Sequence, residues 1–251
     1  MTDQLFDALI ELADDNLVLG HRLSEWCGHA PMLEEDLALA NLALDLVGTA
    51  RALYSLAAEV EGKGRTEDDL AYLRVEREYR NLLLVERPNG DFGHTILRQF
   101  YFAAFMEPFW SAAAAGSSDA RIRAIAAKAA KEMAYHLRHS GEWVVRLGDG
   151  TDESHRRMVA AVDALHHYTD ELFVASPAAE AMAGAGVLPR REAMRAEWDR
   201  LVGQVLAEAG LTAPDVPWPQ IGGREGLHGE ELGHMLAEMQ YLQRAYPGAT
   251  W

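Results

Sequence analysis

Residues 131–142 read Lys-Glu-Met-Ala-Tyr-His-Leu-Arg-His-Ser-Gly-Glu and come within one residue of a metal-binding helix. Helical bundles that hold two irons draw a Glu-x-x-His pair from each of two helices and one more carboxylate from each of the other two. The three-residue spacing puts both ligands on one inward face. Here His136 is present, but Met133 stands three residues before it. Glu132 is one position off, about 100° around the helix. A thioether is a poor ligand for hard ferric iron. The segment has the form of a metal helix that lacks a ligand.

The matching half of such a site would lie at Asp45-Leu46-Val47-Gly48, where Gly48 supplies no donor in place of a histidine. Asp14, Asp15 and Asn16 interrupt an apolar frame near the N-terminus and are expected at the surface or in caps. Glu107, followed by Pro108, is the one acid at the centre of an aromatic stretch. No second inward histidine is expected beside His136. Its own stripe runs Ile122, Ala126, Ala129, Met133, His136, Ser140, Trp143, so His136 is expected as a hydrogen-bonded core residue and Met133 as a gap filler. Glu132 and Arg138 are expected in ion pairs within the protein. Asp45, Gly48, Glu132, Met133 and His136 are therefore vestigial di-iron positions, and no residue is assigned to catalysis, to a cofactor or to a metal.

Other chemistries find less support. Glu231-Leu232-Gly233-His234 is a formal Glu-x-x-His with His228 just before it, but it has no counterpart elsewhere. His166 and His167 are adjacent, so on a helix they point about 100° apart. Cys27 has His21 and His29 nearby, yet a lone cysteine at a helix end is expected to be structural. The chain has no Gly-x-Gly-x-x-Gly, no phosphate-binding Walker loop and no Gly-x-Ser-x-Gly elbow.

The elements that must position these residues are helices throughout. Apolar periodicity predicts helices over 4–26, 32–61, 67–80, 92–115, 120–147, 152–174, 189–209 and 229–245. Gly62, Gly64, Gly148 and Gly150 mark stops, Asp119 a cap, and Pro88-Asn89-Gly90 a turn. A Pro/Gly-rich loop covers 210–228. Four long helices, with a partly helical connection between the second and third, form a bundle with one crossover. The expectation is an all-α, ferritin-like bundle with additional helices, one domain over 1–251.

The 251 residues carry a formal net charge of −16. That disfavours nucleic acid and anionic membrane, which both need basic patches. One cysteine rules out an internal disulfide and fits a reducing cytoplasm. No secretory signal is expected from the Met-Thr-Asp-Gln start, and no apolar run approaches the ~18 residues of a membrane span.

Five segments together resemble a known family: Arg22-Leu-Ser-Glu-Trp-Cys-Gly-His-Ala-Pro31, Asp36-Leu-Ala-Leu-Ala-Asn41, Asn81-Leu-Leu-Leu-Val-Glu-Arg-Pro-Asn-Gly90, Tyr135-His-Leu-Arg138 and Met235-Leu-Ala-Glu-Met-Gln-Tyr-Leu-Gln-Arg244. Over nearly its whole length the chain resembles the C subunits of the bacterial multicomponent phenylacetyl-CoA 1,2-epoxidases of aerobic phenylacetate degradation. The resemblance implies a ferritin-like subunit that pairs with a homologous A subunit, which holds the di-iron centre. It also implies a reductase that uses NADPH, and a complex that forms an epoxide on the ring of phenylacetyl-CoA. The A-subunit pattern Lys-Glu-Glu-x-x-His becomes Lys131-Glu132-Met133-Ala134-Tyr135-His136 here, which fits a non-catalytic, structural subunit in the cytoplasm. Trp218, Tyr246 and Trp251 are candidate interface anchors. Two alternatives stay open at this point: a catalytic oxygenase subunit that uses His136, Glu132 and non-standard ligands, and a metal-free helical adaptor unrelated to oxygenation.

Overall fold

The computed structural model describes residues 2–249. Among them no strand occurs, and the chain is an all-α bundle. Four long helices dominate: α1 (Thr2–Ser24), α2 (Leu33–Glu61), α5 (Phe92–Gly116) and α6 (Ala120–Gly148). Between α2 and α5 the chain crosses over through two short helices, α3 (Glu67–Tyr72) and α4 (Leu83–Glu86). After α6 come α7 (Asp152–Leu165), α8 (Pro177–Gly184), α9 (Arg195–Glu208), α10 (Glu230–Met239) and α11 (Tyr241–Ala245).

The ends follow local chemistry. Asp119 caps α6 by accepting from the Arg121 amide, as expected. Gly62 closes α2 in the left-handed conformation at φ 66°, which a side chain would disfavour. α1 packs along α2 and α5 along α6, with a lighter contact between α2 and α6. Gly20 lets α1 and α2 approach: a Cβ there would meet Val47 Cγ2 at 2.9 Å. The buried apolar residues form one cluster running from Ala8 to Leu236.

Several expected boundaries are corrected. The helix expected over 67–80 ends at Tyr72, because the chain must leave it for the Arg74 guanidinium to turn inward onto Asp14. The one expected over 152–174 ends at Leu165. Two 3-10 turns follow, at His166–Tyr168 and Asp170–Phe173, where the Thr169 hydroxyl donates to the His166 carbonyl at 2.8 Å. The helix expected from 189 starts at Arg195, since buried Arg191 is held by the Leu172 carbonyl. The last helix is broken at Gln240, whose side chain donates to the Arg74 carbonyl at 3.0 Å and to the Tyr79 hydroxyl at 3.1 Å. Among the described residues α2 is the one helix that by length and overall composition is apolar enough to cross a membrane, although Asp45 and Arg51 interrupt its apolar run. Only 44 % of that stretch is buried within the chain.

Candidate functional site

On α6 the predicted inward stripe is buried from Ile122 through Ser140, and Trp143 is half-buried. Met133 and His136 are both fully buried. His136 sits where α2, α5 and α6 meet. Its Nε2 lies 3.2 Å from Asp45 Oδ2 on α2, and its Nδ1 lies 3.1 Å from the Gln99 side-chain amide nitrogen on α5. One neutral tautomer satisfies both contacts: Nε2–H donates to Asp45, and Nδ1 accepts from Gln99. The core role expected for His136 is what the geometry displays.

The other positions expected to be vestigial make contacts of their own. Glu132 pairs with Lys128 one turn back. Gly48 is exposed, and a Cβ there would face the Lys128 ammonium at 3.8 Å. Arg138 makes no ion pair among the described residues and instead lies over the Tyr135 ring at 5.4 Å. That corrects half of the ion-pair expectation.

A second histidine does face α2, against the sequence-based expectation. His139 Nε2 lies 2.9 Å from Glu35 Oε2, and both side chains are largely buried. The signal was available: His139 follows His136 by three positions, so it shares the face. The two pairs cannot share an ion, because Glu35 and Asp45 are ten residues apart on one helix, about 15 Å along its axis.

The donors present do not fit a two-iron centre. Gln99 offers an amide where a carboxylate would serve, Met133 a thioether, and Gly48 nothing. The buried oxygens left without partners here are Gln99 Oε1 and Glu132 Oε2, and Lys128 already neutralises that carboxylate. No cluster of three or more His, Cys, Asp or Glu side chains with metal-binding geometry occurs among the described residues.

The formal motif at Glu231–His234 is also taken apart. Glu231 pairs with Arg87 at 2.9 Å, while His234 is exposed. Cys27 is exposed, and the His29 ring faces its carbonyl rather than its thiol. His166 Nδ1 meets the Tyr101 hydroxyl at 3.2 Å. Glu107 is half-buried and accepts from Ser111. Trp218 is 80 % exposed and Tyr246 is exposed as well. Trp251 lies outside the described residues.

The larger correction concerns α1. Asp14, Asp15 and Asn16, expected at the surface or in caps, are fully buried. Asp14 is held by Arg74, by the Tyr54 hydroxyl and by the Arg80 amide at 2.7 Å. Burial alone would lower the Arg74 affinity for its proton, but Asp14 outweighs it and raises that affinity. Asp15 accepts from both terminal nitrogens of Arg224, at 2.7 and 3.0 Å, and from the Leu82 amide. Asn16 donates to the Leu12 carbonyl within α1. Glu171 is buried too, which pushes its carboxyl up, and it gathers the amides of Leu83, Gly222 and Gly223. These acids fasten the crossover and the Pro/Gly loop to the body.

Two of the segments that carry the resemblance, 22–31 and 81–90, meet beside these acids, and a third reaches the crossover. Arg22 donates to the carbonyls of Glu86 and Glu231. Asn89 donates to the Arg22 carbonyl. Arg244 reaches the carbonyl of Arg74. Arg98 is buried beside Arg22 and Arg87 without a carboxylate partner, and burial pulls it down to about 9. It clamps the turn by donating to the Arg87 carbonyl and the Asn89 side chain.

A family model described as "Phenylacetic acid catabolic protein" matches residues 1–251. A curated relative from Escherichia coli, the C subunit of 1,2-phenylacetyl-CoA epoxidase, is 48 % identical over 249 residues, covering 99 % of this chain and all of that one. With the likeness spanning both chains from end to end, this chain belongs to the phenylacetic acid catabolic protein family.

Proposed function

We propose that this chain is the structural, metal-free subunit of a phenylacetyl-CoA epoxidase complex, a ferritin-like bundle paired with a homologous di-iron catalytic subunit. The observation that carries the reading is the junction of α2, α5 and α6. There the buried thioether of Met133 stands three residues before His136, which is tied to Asp45 and Gln99. Chemistry on the thioester then belongs to the partner, with electrons from an NADPH-dependent reductase. The acidic surface suits protein partners rather than nucleic acid or membrane. The single free thiol of Cys27 suits the cytoplasm.

Pairing is supported by α2. Large apolar side chains on a helix belong in an interior. Yet Leu33, Leu37 and Leu44 are 70, 59 and 68 % exposed. At 100° per residue they fall within about 40° of one another, in one stripe. Covering each fully is worth roughly 1.5–3 kcal/mol. A second bundle laid along this face supplies the interior that α2 lacks.

The test is co-expression with the di-iron homologue, using wild type and the double variant Leu37→Asp, Leu44→Asp. The wild-type chains should elute together, and iron should follow the partner. The variant should remain helical and elute apart. About two irons retained per chain by this subunit purified alone, the content of a full site, would defeat the metal-free reading. An undisturbed pair in the variant would remove α2 from the interface.

A further inference from the structure

His228 stands just before α10, at the head of the C-terminal arm. Its imidazole is fully buried, as is the Glu86 carboxylate of α4 beside it. Nδ1 lies 2.8 Å from Glu86 Oε2, and Nε2 lies 3.0 Å from the Tyr79 carbonyl oxygen. The Tyr79 carbonyl can only accept, and so does Glu86 as a carboxylate. A neutral imidazole has one N–H and would turn a lone pair toward one of the two oxygens; only the imidazolium donates to both.

We propose that protonated His228 is a latch that holds the head of the C-terminal arm, residues 226–236, on the α4 crossover, and that loss of its proton loosens the arm. The surrounding charges support the protonated state. From α4 come Glu86 and Arg87, from the crossover Arg80, from α1 Asp14 and Arg22, and from α10 Glu231. Arg87 pairs with Glu231 at 2.9 Å and more loosely with Glu86 Oε1 at 3.4 Å, Arg22 is occupied with Glu25 and with carbonyls, and Asp14 with Arg74. Glu86 also accepts from the Gly229 amide at 2.7 Å and from Asn81 at 2.9 Å, so it stays fixed in place when the histidine changes state. Burial disfavours the charged ring, but the bonds to Glu86 and the Tyr79 carbonyl outweigh it and hold the histidine above its ordinary range. The latch is therefore complete below the ordinary histidine range and is lost as pH rises through the raised value. Farther along, Gln240 and Arg244 bind the crossover without titrating, so the opening is confined to the head of the arm.

The test is amide hydrogen exchange on the intact chain, in the assembly in which it purifies, from pH about 6 to about 9, with rates corrected for their intrinsic pH dependence. In wild type the protection of residues 230–236 should fall by up to about tenfold per pH unit, the limit for one proton. Protection of α5 should not change. In His228→Gln, which cannot titrate, the arm should show no pH slope. A flat wild-type profile, or an equal slope in His228→Gln, overturns the latch. If the variant does not fold, nitrogen chemical shifts of wild-type His228 decide: a doubly protonated ring at neutral pH supports the proposal, and a neutral ring there overturns it.

Discussion

Two substitutions that each restore a di-iron ligand should have opposite effects on stability. Met133→Glu recreates a Glu-x-x-His pair ending at His136. Met133 is fully buried, and no free cation waits for a carboxylate there. Lys128 is committed to Glu132 and is mostly solvated, while His136 turns Nε2 toward Asp45. A buried carboxylate without a partner should cost ~2–4 kcal/mol. Gly48→His supplies the other missing ligand at an exposed position in the middle of α2. Its Cβ would meet only the end of Lys128 at 3.8 Å, an ordinary contact. Replacing a helical glycine there should gain a few tenths of a kcal/mol. Urea unfolding of each variant, with midpoint and slope both measured, gives the two values. Elemental analysis of the double variant should find no site holding about two irons, because Gln99 and Lys128 still occupy the groove. A Met133→Glu cost below ~0.5 kcal/mol, well short of an unpaired buried charge, would show that this stripe is not closed. Equal damage from Gly48→His would show that α2 is packed where it is described as open.

Two further outcomes follow from the same contacts. Asp15→Ala leaves the Leu82 amide without its acceptor and Arg224 without its carboxylate partner, and breaking a buried pair of this kind should cost ~3–5 kcal/mol. A cycle with Arg224→Met should recover at least ~1 kcal/mol of that loss as coupling, and strict additivity in denaturant melts would refute the pairing. His136→Gln should leave turnover of the complex nearly unchanged, because Gln can still bond Asp45 or Gln99. A variant that stays folded and paired but loses about a thousandfold in rate, ~4 kcal/mol of transition-state stabilisation, would put His136 in a working site.

The long helices and the α6 stripe were legible because both depend on periodicity alone, which sequence displays directly. Met133 and His136 fell where their spacing put them. The His139–Glu35 pair depends on how α2 and α6 align, and that register is not written in either helix. Asp14 and Asp15 were misplaced for another reason: an acid in an apolar helix defaults to the surface. The corrective signal lay in their neighbours. From Ala8 to Leu19 every residue of α1 is buried, so the helix is enclosed on all sides and its acids have no surface to reach. The short helices of the crossover and arm failed for the same cause. Their ends are set by distant side chains, Arg74 meeting Asp14 and Gln240 meeting the Arg74 carbonyl, rather than by local propensity.

Of the five segments that carry the family likeness, Tyr135–Arg138 includes His136 of the proposed vestigial site and Asp36–Asn41 lies on α2, while the other three lie away from that site. The site sits between α2, α5 and α6, where His136–Asp45 and His139–Glu35 join helices that otherwise touch lightly. Segments 22–31 and 81–90 meet around Arg22, Glu86 and Asn89, and Arg244 of a third ties the arm to the crossover at Arg74, locking the two together. At that lock the buried acids Asp14, Asp15 and Glu86 face Arg74, Arg224 and His228, each in direct contact. Charges enclosed in this way cannot be lost one at a time without a large penalty. On the proposed reading, ligands on α2 and α6 could be replaced singly, as by Met133 on α6, because replacing a carboxylate with an apolar group removes a charge instead of stranding one. These buried pairs therefore constrain the architecture that shapes the surface of this chain, and the docking role proposed for it needs that architecture intact.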